Sequence, residues 1–269
     1  MSENADTAAR LDGVLADLGE IAVAVSGVVD SMTLAVIAGR RLAERAEMIH
    51  ATSPAVPPEA SARVSAYARR EGWRLAIIDA GEFADPHYLA NPANRCFFCK
   101  TNLYGAIAAR TGAMIVSGTN LDDLGDWRPG LQAAEAHGVR HPYVEAGVDK
   151  AGVRALARAL GLDDLAELPA APCLSSRLAT GIRVTADRLR LVHAVERLIS
   201  DELAPRTVRC RLFHDGVAIQ LDPDGLRRIA GSEAAQLRRA IQRMAGAAAV
   251  RYEPYRMGSA FLRSAVDGA

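Results

Sequence analysis

Residues 21–31 read IAVAVSGVVDS. Ile21 to Val25 is an apolar run of strand length. It breaks at Ser26-Gly27, and helix-compatible residues resume at Ser31 with Met32, Leu34, Val36 and Ile37. Strand, tight turn and helix start in succession make an anion site in α/β folds. The first helical N–H groups lack partners there, and the helix dipole presents its positive end. Ser26 and Ser31 add hydroxyl donors, and Asp30 can hold a cation that neutralises phosphate charge. The stretch is not GxxxxGK[ST], because it has no Lys, and not GxGxxG, because it lacks the glycines.

Outward from this stretch the pattern repeats. Residues 7–19 suit a short amphipathic helix, and the helix from Ser31 is expected to end near Arg45. Glu47 to His50 reads as a second strand. Pro57-Pro58 launches a helix from Glu59 to Glu71, and Trp73 to Asp79 reads as a third strand. The order β-α-β-α-β with short links implies an α/β fold, a parallel sheet with helices on both faces. Ligands in such sheets sit outside the carboxyl ends of the strands, which places the loops 26–31, 51–57 and 80–98 at the ligand edge.

Residues 80–98 read as a long loop running into NRCFFCK, followed by a helix from Asn102 to Arg110 and a fourth strand from Ala113 to Ser117. That strand ends in GTNLDDLGDWRPG, 118–130, with Asp122, Asp123 and Asp126. A helix bearing Lys150, Val153, Leu156 and Leu160 closes a first domain, residues 1–168. Pro169 to Pro172 reads as a linker, and residues 169–269 as a small α+β domain for substrate or oligomer contacts. In it, Thr185 caps a long helix to about Leu203. TVRCRLF, HDG and VAIQL then form a β-hairpin, with two helices and a strand near Ala248 to Tyr252 after it.

The 269 residues hold 32 basic and 32 acidic side chains, a net charge of zero. Composition thus gives no electrostatic argument for nucleic acid or an acidic membrane. Lys100 and Lys150 are the only lysines, and the abundance of Ala and Arg reads as a composition bias. No apolar run approaches the ~20 residues of a membrane span, and MSENADTAAR has no signal-peptide pattern. The expected compartment is the cytoplasm, where four cysteines argue for free thiols, a metal or chemistry rather than disulfides.

Cys96 and Cys99 form a CxxC: a redox pair, half a zinc site or two buried residues. Cys173 and Cys210 do not complete a zinc site by spacing, whereas three thiolates with one open position suit a 4Fe–4S cluster. Any one of the three thiols, taken alone, reads as a buried structural cysteine. Arg177 is placed to lower the pKa of Cys173 and make it nucleophilic. In the strand 207–213, period two puts Val208, Cys210 and Leu212 on one face, so Cys210 is core. Arg209 and Arg211 share the other face, about 7 Å apart by strand rise, as a clamp for carboxylate or phosphate or as a solvated face. On the long helix Leu189, Val192, Val195, Ile199 and Leu203 make an apolar arc that includes Glu196. A carboxylate there needs a partner: an ion pair, or a ligand site shared with Arg209 and Arg211.

SGVVDS at 26–31 resembles the PP-loop, SGGxDS, of the ATP pyrophosphatase (adenine nucleotide alpha hydrolase) superfamily. With RCFFCK at 95–100, GTNLDD and DWRPG within 118–130, K-x-x-VRALARALGL at 150–162, P-x-x-PCLSSR at 169–177 and VRCR at 208–211, the chain resembles the LarE-type ATP-dependent sacrificial sulfur transferases. That resemblance implies a PP-loop domain plus a small C-terminal domain in a homo-oligomer. ATP and Mg²⁺ would bind at Ser26, Gly27, Val28, Asp30 and Ser31, with Gly118, Asn120 and Arg128 also at the nucleotide. The catalytic residues would be Asp30, Ser31 and Cys173. ATP would adenylylate a carboxylate of a nucleotide-like small molecule, a pyridinium dicarboxylate mononucleotide, and release pyrophosphate. Sulfur would replace AMP, giving a thiocarboxylate for a nickel-pincer cofactor. Family members take the sulfur from the cysteine matching Cys173, or relay it on a 4Fe–4S cluster held by those matching Cys96, Cys99 and Cys173. This chain has all three, which points to the cluster version. Arg177, Glu196, Arg209 and Arg211 would lie at the substrate or metal site.

The chain departs from the family in three places. Val28 stands where the second glycine is usual; a β-branched residue is strained if φ is positive and fills space beside the phosphates. VAIQ at 217–220 replaces ARIE, and LATGI follows CLSSR in place of the usual segment. These departures leave open another PP-loop enzyme (a tRNA thiolase or an amide-forming synthetase), a nucleotide-binding protein without turnover, and a structural zinc site.

Overall fold

The computed structural model describes residues 3–125, 128–169, 171–256 and 259. The chain runs α1 (Glu3–Asp17), β1 (Ile21–Ala24), α2 (Val29–Leu42), β2 (Ala46–Ala51), α3 (Pro58–Glu71) and β3 (Arg74–Ile78). It continues through α4 (Pro86–Leu89), α5 (Arg95–Arg110), β4 (Met114–Ser117), α6 (Pro129–Ala136), α7 (Pro142–Glu145), α8 (Lys150–Ala159) and α9 (Asp163–Ala166). The last part is α10 (Ala186–Leu203), β5 (Val208–Phe213), β6 (Gly216–Leu221), α11 (Pro223–Ala230), α12 (Ala235–Ala245) and β7 (Val250–Pro254). These elements form two compact units, residues Met1–Asp85 with Cys96–Ala171, and Pro86–Arg95 with Pro172–Ala269. No helix among the described residues is long and apolar enough to cross a membrane.

The first unit is an α/β layer structure. Its sheet has the order β3-β2-β1-β4, every pair parallel. β1 is buried on both faces, as a central parallel strand must be. Ile21, Val23 and Val25 pack into one core with Leu34 of α2, Val153 of α8 and Leu15 of α1. Ala22 and Ala24 face the other core, where Tyr104 and Ile107 of α5 fill the space. The alternation of large and small residues along β1 therefore matches a helix layer of different depth on each side. The chain passes from β1 outward through β2 to β3, then returns to place β4 on the other flank of β1. That reversal is a topological switch point, and it opens a crevice between the carboxyl ends of β1 and β4.

Several boundaries move from the sequence reading. α2 begins at Val29 rather than Ser31, because Val28 is extended and caps it, and it gives way at Ala43 (φ 50) to a 3-10 turn. The largest correction concerns residues 80–98. They hold a 3-10 turn at Glu82–Ala84, the short α4, and the start of α5, which begins at Arg95 and carries Cys96 and Cys99 in its first turns. Phe97 and Phe98 are only moderate helix formers, but they pack edge to face with ring centres 5.4 Å apart, and Asn102 donates to the Phe98 carbonyl and to Asp85. Local ring packing and one longer-range bond, from Asn102 to Asp85, thus support these turns of the helix.

The second unit is α+β. β5 and β6 form the expected antiparallel hairpin, and β7 adds to β6 in parallel. α10 starts on the Thr185 side chain, which accepts the Arg188 N–H, and buries Leu189, Val192, Val195, Glu196, Ile199 and Leu203. The segment 86–95 joins this unit through backbone bonds from Gly181 to Asn91 and from Val184 to Leu89.

Candidate functional site

The turn between β1 and α2 is built by Gly27. Its φ is 82°, and a Cβ there would stand 2.8 Å from the Ala60 carbonyl oxygen. Val28 sits at φ −97°, ψ 164°, an ordinary extended conformation. The strain feared for Val28 is therefore absent; the position that demands glycine is its neighbour. Ser31 falls in the first turn of α2, and its Oγ accepts the Ser26 N–H at 3.0 Å and lies 3.0 Å from the Ser26 Oγ. Its own proton can go to the Val28 carbonyl at 3.3 Å. The two hydroxyls thus tie the loop shut on itself and leave the Ser26 side of the turn exposed. Arg63 donates to the Gly27 carbonyl at 2.7 Å. His50, buried at the end of β2, donates from Nδ1 to the Val25 carbonyl, which fixes Nε2 as acceptor for the Ser61 hydroxyl. Burial lowers its pKa, and the Val25 bond opposes that shift.

Across the crevice, Gly118 follows β4. A Cβ on it would come within 2.7 Å of the Ser31 nitrogen, so the backbone of 118–120 is pressed against the start of α2. Asn120, 1% exposed, accepts the Asp122 N–H and shares a capping box with Asp123. It also donates to Asp30 at 3.2 Å. Arg128 pairs with Asp123 at 2.9 Å, so Arg128, Asp123, Asn120 and Asp30 form one chain of polar contacts. Tyr143 donates to the Asp30 carbonyl from a fully buried position, and burial pushes its own pKa well up. The structure therefore brings together Ser26, Gly27, Val28, Asp30, Ser31, Gly118 and Asn120, with Arg128 one contact further out. Asp126 lies outside the described residues. The sequence reading gave no role to Lys150, whose ammonium donates to both oxygens of Asp30 at 2.7 and 2.5 Å. Its signals were rarity, two lysines in a chain whose other basic side chains are arginines and histidines, and its place at the head of the K-x-x-VRALARALGL motif.

The second unit holds the other group. The turn Leu174–Arg177 starts on Cys173, which is half-buried. Arg177 is 4% exposed and clasps Glu196 with two parallel bonds, Nε to Oε1 at 2.9 Å and Nη2 to Oε2 at 3.0 Å. Its Nη1 turns to the carbonyls of Pro172 and Cys173 and to the Ser176 hydroxyl. Glu196 also accepts the Cys210 N–H at 2.9 Å. Of the two readings for Glu196 the structure has the ion pair, and the partner is Arg177 from the preceding turn rather than an arginine of β5. Those arginines do not form a solvated face. Arg211 is buried and donates to Gln220 at 2.6 Å and to the Ser176 carbonyl at 3.0 Å. Arg209 is half-buried with its guanidinium 5.8 Å from the Tyr255 ring centre. Burial first, then the charge of Arg177, lowers the pKa of both. Arg177, Arg209 and Arg211 thus gather near Glu196, which pairs directly with Arg177, and such a cluster of guanidinium groups attracts an anion. Cys210 is core as expected, and burial followed by the Glu196 charge drives its thiol pKa up, which keeps it inert.

Thiols are the right ligand type for an iron–sulfur cluster. The first unit supplies two, Cys96 and Cys99, and the second supplies Cys173. Among the described residues no set of three or more His, Cys, Asp or Glu gathers to hold a metal ion. Mg²⁺ fits the first unit by type: it takes one or two carboxylates together with substrate phosphates, and Asp30 is the carboxylate at the loop.

No family model matches the chain. It is 36% identical over 212 residues to an uncharacterized protein of Synechocystis sp., covering 77% of this chain and 78% of that one. It is 31% identical over 230 residues to the pyridinium-3,5-bisthiocarboxylic acid mononucleotide synthase of Lactiplantibacillus plantarum, covering 82% of this chain and 81% of the synthase. It is 22% identical over 211 residues to an uncharacterized protein of Methanocaldococcus jannaschii, covering 76% and 79%.

Proposed function

The chain belongs to the LarE-type sulfur transferase family, that of the pyridinium-3,5-bisthiocarboxylic acid mononucleotide synthase, and from this premise we propose that it is an ATP-dependent sulfur transferase of nickel-pincer cofactor biosynthesis. The observation that carries the reading is the loop Ser26–Ser31 at the switch point, with Asp30 and Asn120 facing each other across it. The loop is a PP-loop in this reading. Its backbone N–H groups and the start of α2 hold the phosphates of ATP and stabilise the charge that develops on the leaving pyrophosphate. Mg²⁺, when bound, neutralises phosphate charge. A substrate carboxylate oxygen attacks the α-phosphorus, the bond to pyrophosphate breaks, and an acyl adenylate forms.

The sulfur step is written on the Cys173 thiol, which begins the turn fixed by Arg177; a 4Fe–4S cluster held by Cys96, Cys99 and Cys173 is the alternative donor. The Cys173 thiolate attacks the acyl carbon, the carbon–sulfur bond forms, and AMP leaves. The Cβ–Sγ bond of Cys173 then breaks with loss of its Hα proton, leaving dehydroalanine and a thiocarboxylate. Arg209 and Arg211 hold the phosphate or second carboxylate of the substrate, and Arg177 with Glu196 fixes the turn that presents Cys173. The protein is read as a cytoplasmic homo-oligomer acting on a small molecule rather than on nucleic acid or membrane.

Pyrophosphate release with the pyridinium dicarboxylate mononucleotide as acceptor tests the loop. A Ser26→Ala, Asp30→Ala double variant is expected to lose about 10²–10³-fold in rate, the scale for removing preorganised donors. Full activity in that variant sinks the nucleotide assignment. A mass decrease equal to H₂S, located at Cys173 after turnover, tests the sulfur assignment.

A further inference from the structure

A carboxylate at an anion-binding helix start is a contradiction that something must resolve. Asp30 is the second residue of α2, so a phosphate held by the N–H groups of that turn meets a like charge. In this structure the contradiction is already resolved from within the chain. The Lys150 ammonium bonds both Asp30 oxygens, at 2.7 and 2.5 Å, and Asn120 takes a further bond to Oδ1 at 3.2 Å. Lys150 is the first residue of α8, held by the Asp149 cap to the Gly152 N–H. Its side chain stays 34% exposed, and among the described residues Asp30 is its one acceptor. The ammonium is therefore anchored beside the loop and still open on one side.

We propose that Lys150 is a built-in counter-cation of the loop, interchangeable with Mg²⁺, so that the chain binds the phosphates of a nucleotide without a divalent metal. Asp30 is the positioning residue that aims the ammonium at the phosphates. Without Lys150, Asp30 would be the carboxylate free to hold Mg²⁺, which would supply the neutralising charge in its stead. The inference rests on the nucleotide reading of the loop.

Calorimetric titration of the full chain with ATP, and separately with inorganic pyrophosphate, tests it in EDTA and in Mg²⁺. The native chain is expected to bind in EDTA. Lys150→Met should weaken binding in EDTA by about tenfold or more, the worth of one charge-assisted hydrogen bond, and Mg²⁺ should restore it to within about threefold of the native chain. Lys150→Arg keeps the charge and should retain most of the metal-free binding, which also reports that the position tolerates substitution. Asp30→Asn removes the charge that positions the ammonium, so it should weaken metal-free binding, and Mg²⁺ should not restore it. Native binding that requires Mg²⁺, equal binding by Lys150→Met and the native chain in EDTA, or failure of Mg²⁺ to restore Lys150→Met would each overturn the inference and leave the nucleotide site standing. A native chain that binds neither ligand under either condition overturns the nucleotide reading itself.

Discussion

Gly27 and Val28 divide the work of one turn. Gly27 carries the positive φ and the close approach to Ala60, while Val28 sits in an extended conformation that any residue adopts. Gly27→Ala is expected to cost about 1–3 kcal/mol in urea unfolding, since it forces a side chain into a left-handed conformation with no room for Cβ. Val28→Gly should cost up to about 1 kcal/mol through unfolded-chain entropy, and ATP turnover should remain of the same order. A large gain of turnover in Val28→Gly would show that the native loop is impaired. His50 gives the residue scale its pH dependence. Its folded pKa lies below the ordinary histidine value because burial disfavours the imidazolium. Above about pH 6.5 it is neutral in both states and contributes no slope. As pH falls below that value the unfolded chain takes up the proton first, so stability falls. Urea midpoints at pH 7.5 and 5.5 should therefore drop more for the native chain than for His50→Gln.

At the scale of elements, the second unit is knit by ionic bonds between a turn, a helix and a strand. Arg177 in the turn grips Glu196 on α10, and Glu196 reaches the β5 backbone at Cys210. With Arg177 4% and Glu196 9% exposed, Glu196→Gln leaves a buried guanidinium without its charge partner. The expected loss is about 3–5 kcal/mol, seen as a lowered thermal midpoint by circular dichroism, with Arg177→Met, Glu196→Leu together recovering much of it. β6 shows how a departure from the family is absorbed. Gln220 accepts from Arg211 and donates to Glu253 on β7 at 2.8 Å. The carboxylate charge expected on β6 is thus moved one strand over. α5 carries the opposite lesson: its first turns look like loop in the sequence and are helix in the fold.

Across the whole molecule, the three half-buried thiols are divided between two units, two in one and one in the other. With the sulfur step on Cys173 alone, Cys96→Ala, Cys99→Ala is expected to keep single-turnover thiocarboxylate formation, while Cys173→Ala abolishes it. Anaerobic purification with iron and sulfide analysis gives the contrary outcome its chance. About four of each per chain, lost in Cys96→Ala, would return the step to a cluster. The fold class and the sulfur-transferase family were legible in the sequence, because strand, turn and helix alternate with the right lengths and the motifs run in family order. The candidate loop was legible as a strand-to-helix turn for the same reason, since Gly27, Asp30 and Ser31 lie within five consecutive residues.

What the sequence by itself determined is local: the parallel βαβ run, the turn after β1, the cap at Thr185, the buried Cys210 and the hairpin of β5 and β6. Each rests on periodicity, or on neighbours within a few residues. Only the tertiary structure decided which distant groups meet. It set β4 beside β1, so that Gly118 and Asn120 face a loop about ninety residues earlier. It gave Glu196 to Arg177 and placed Lys150 on Asp30 across an interval of 120 residues. Such pairings leave no periodic trace along the chain, because a charge selects its partner by the desolvation it must offset where the fold puts it, not by its distance in sequence.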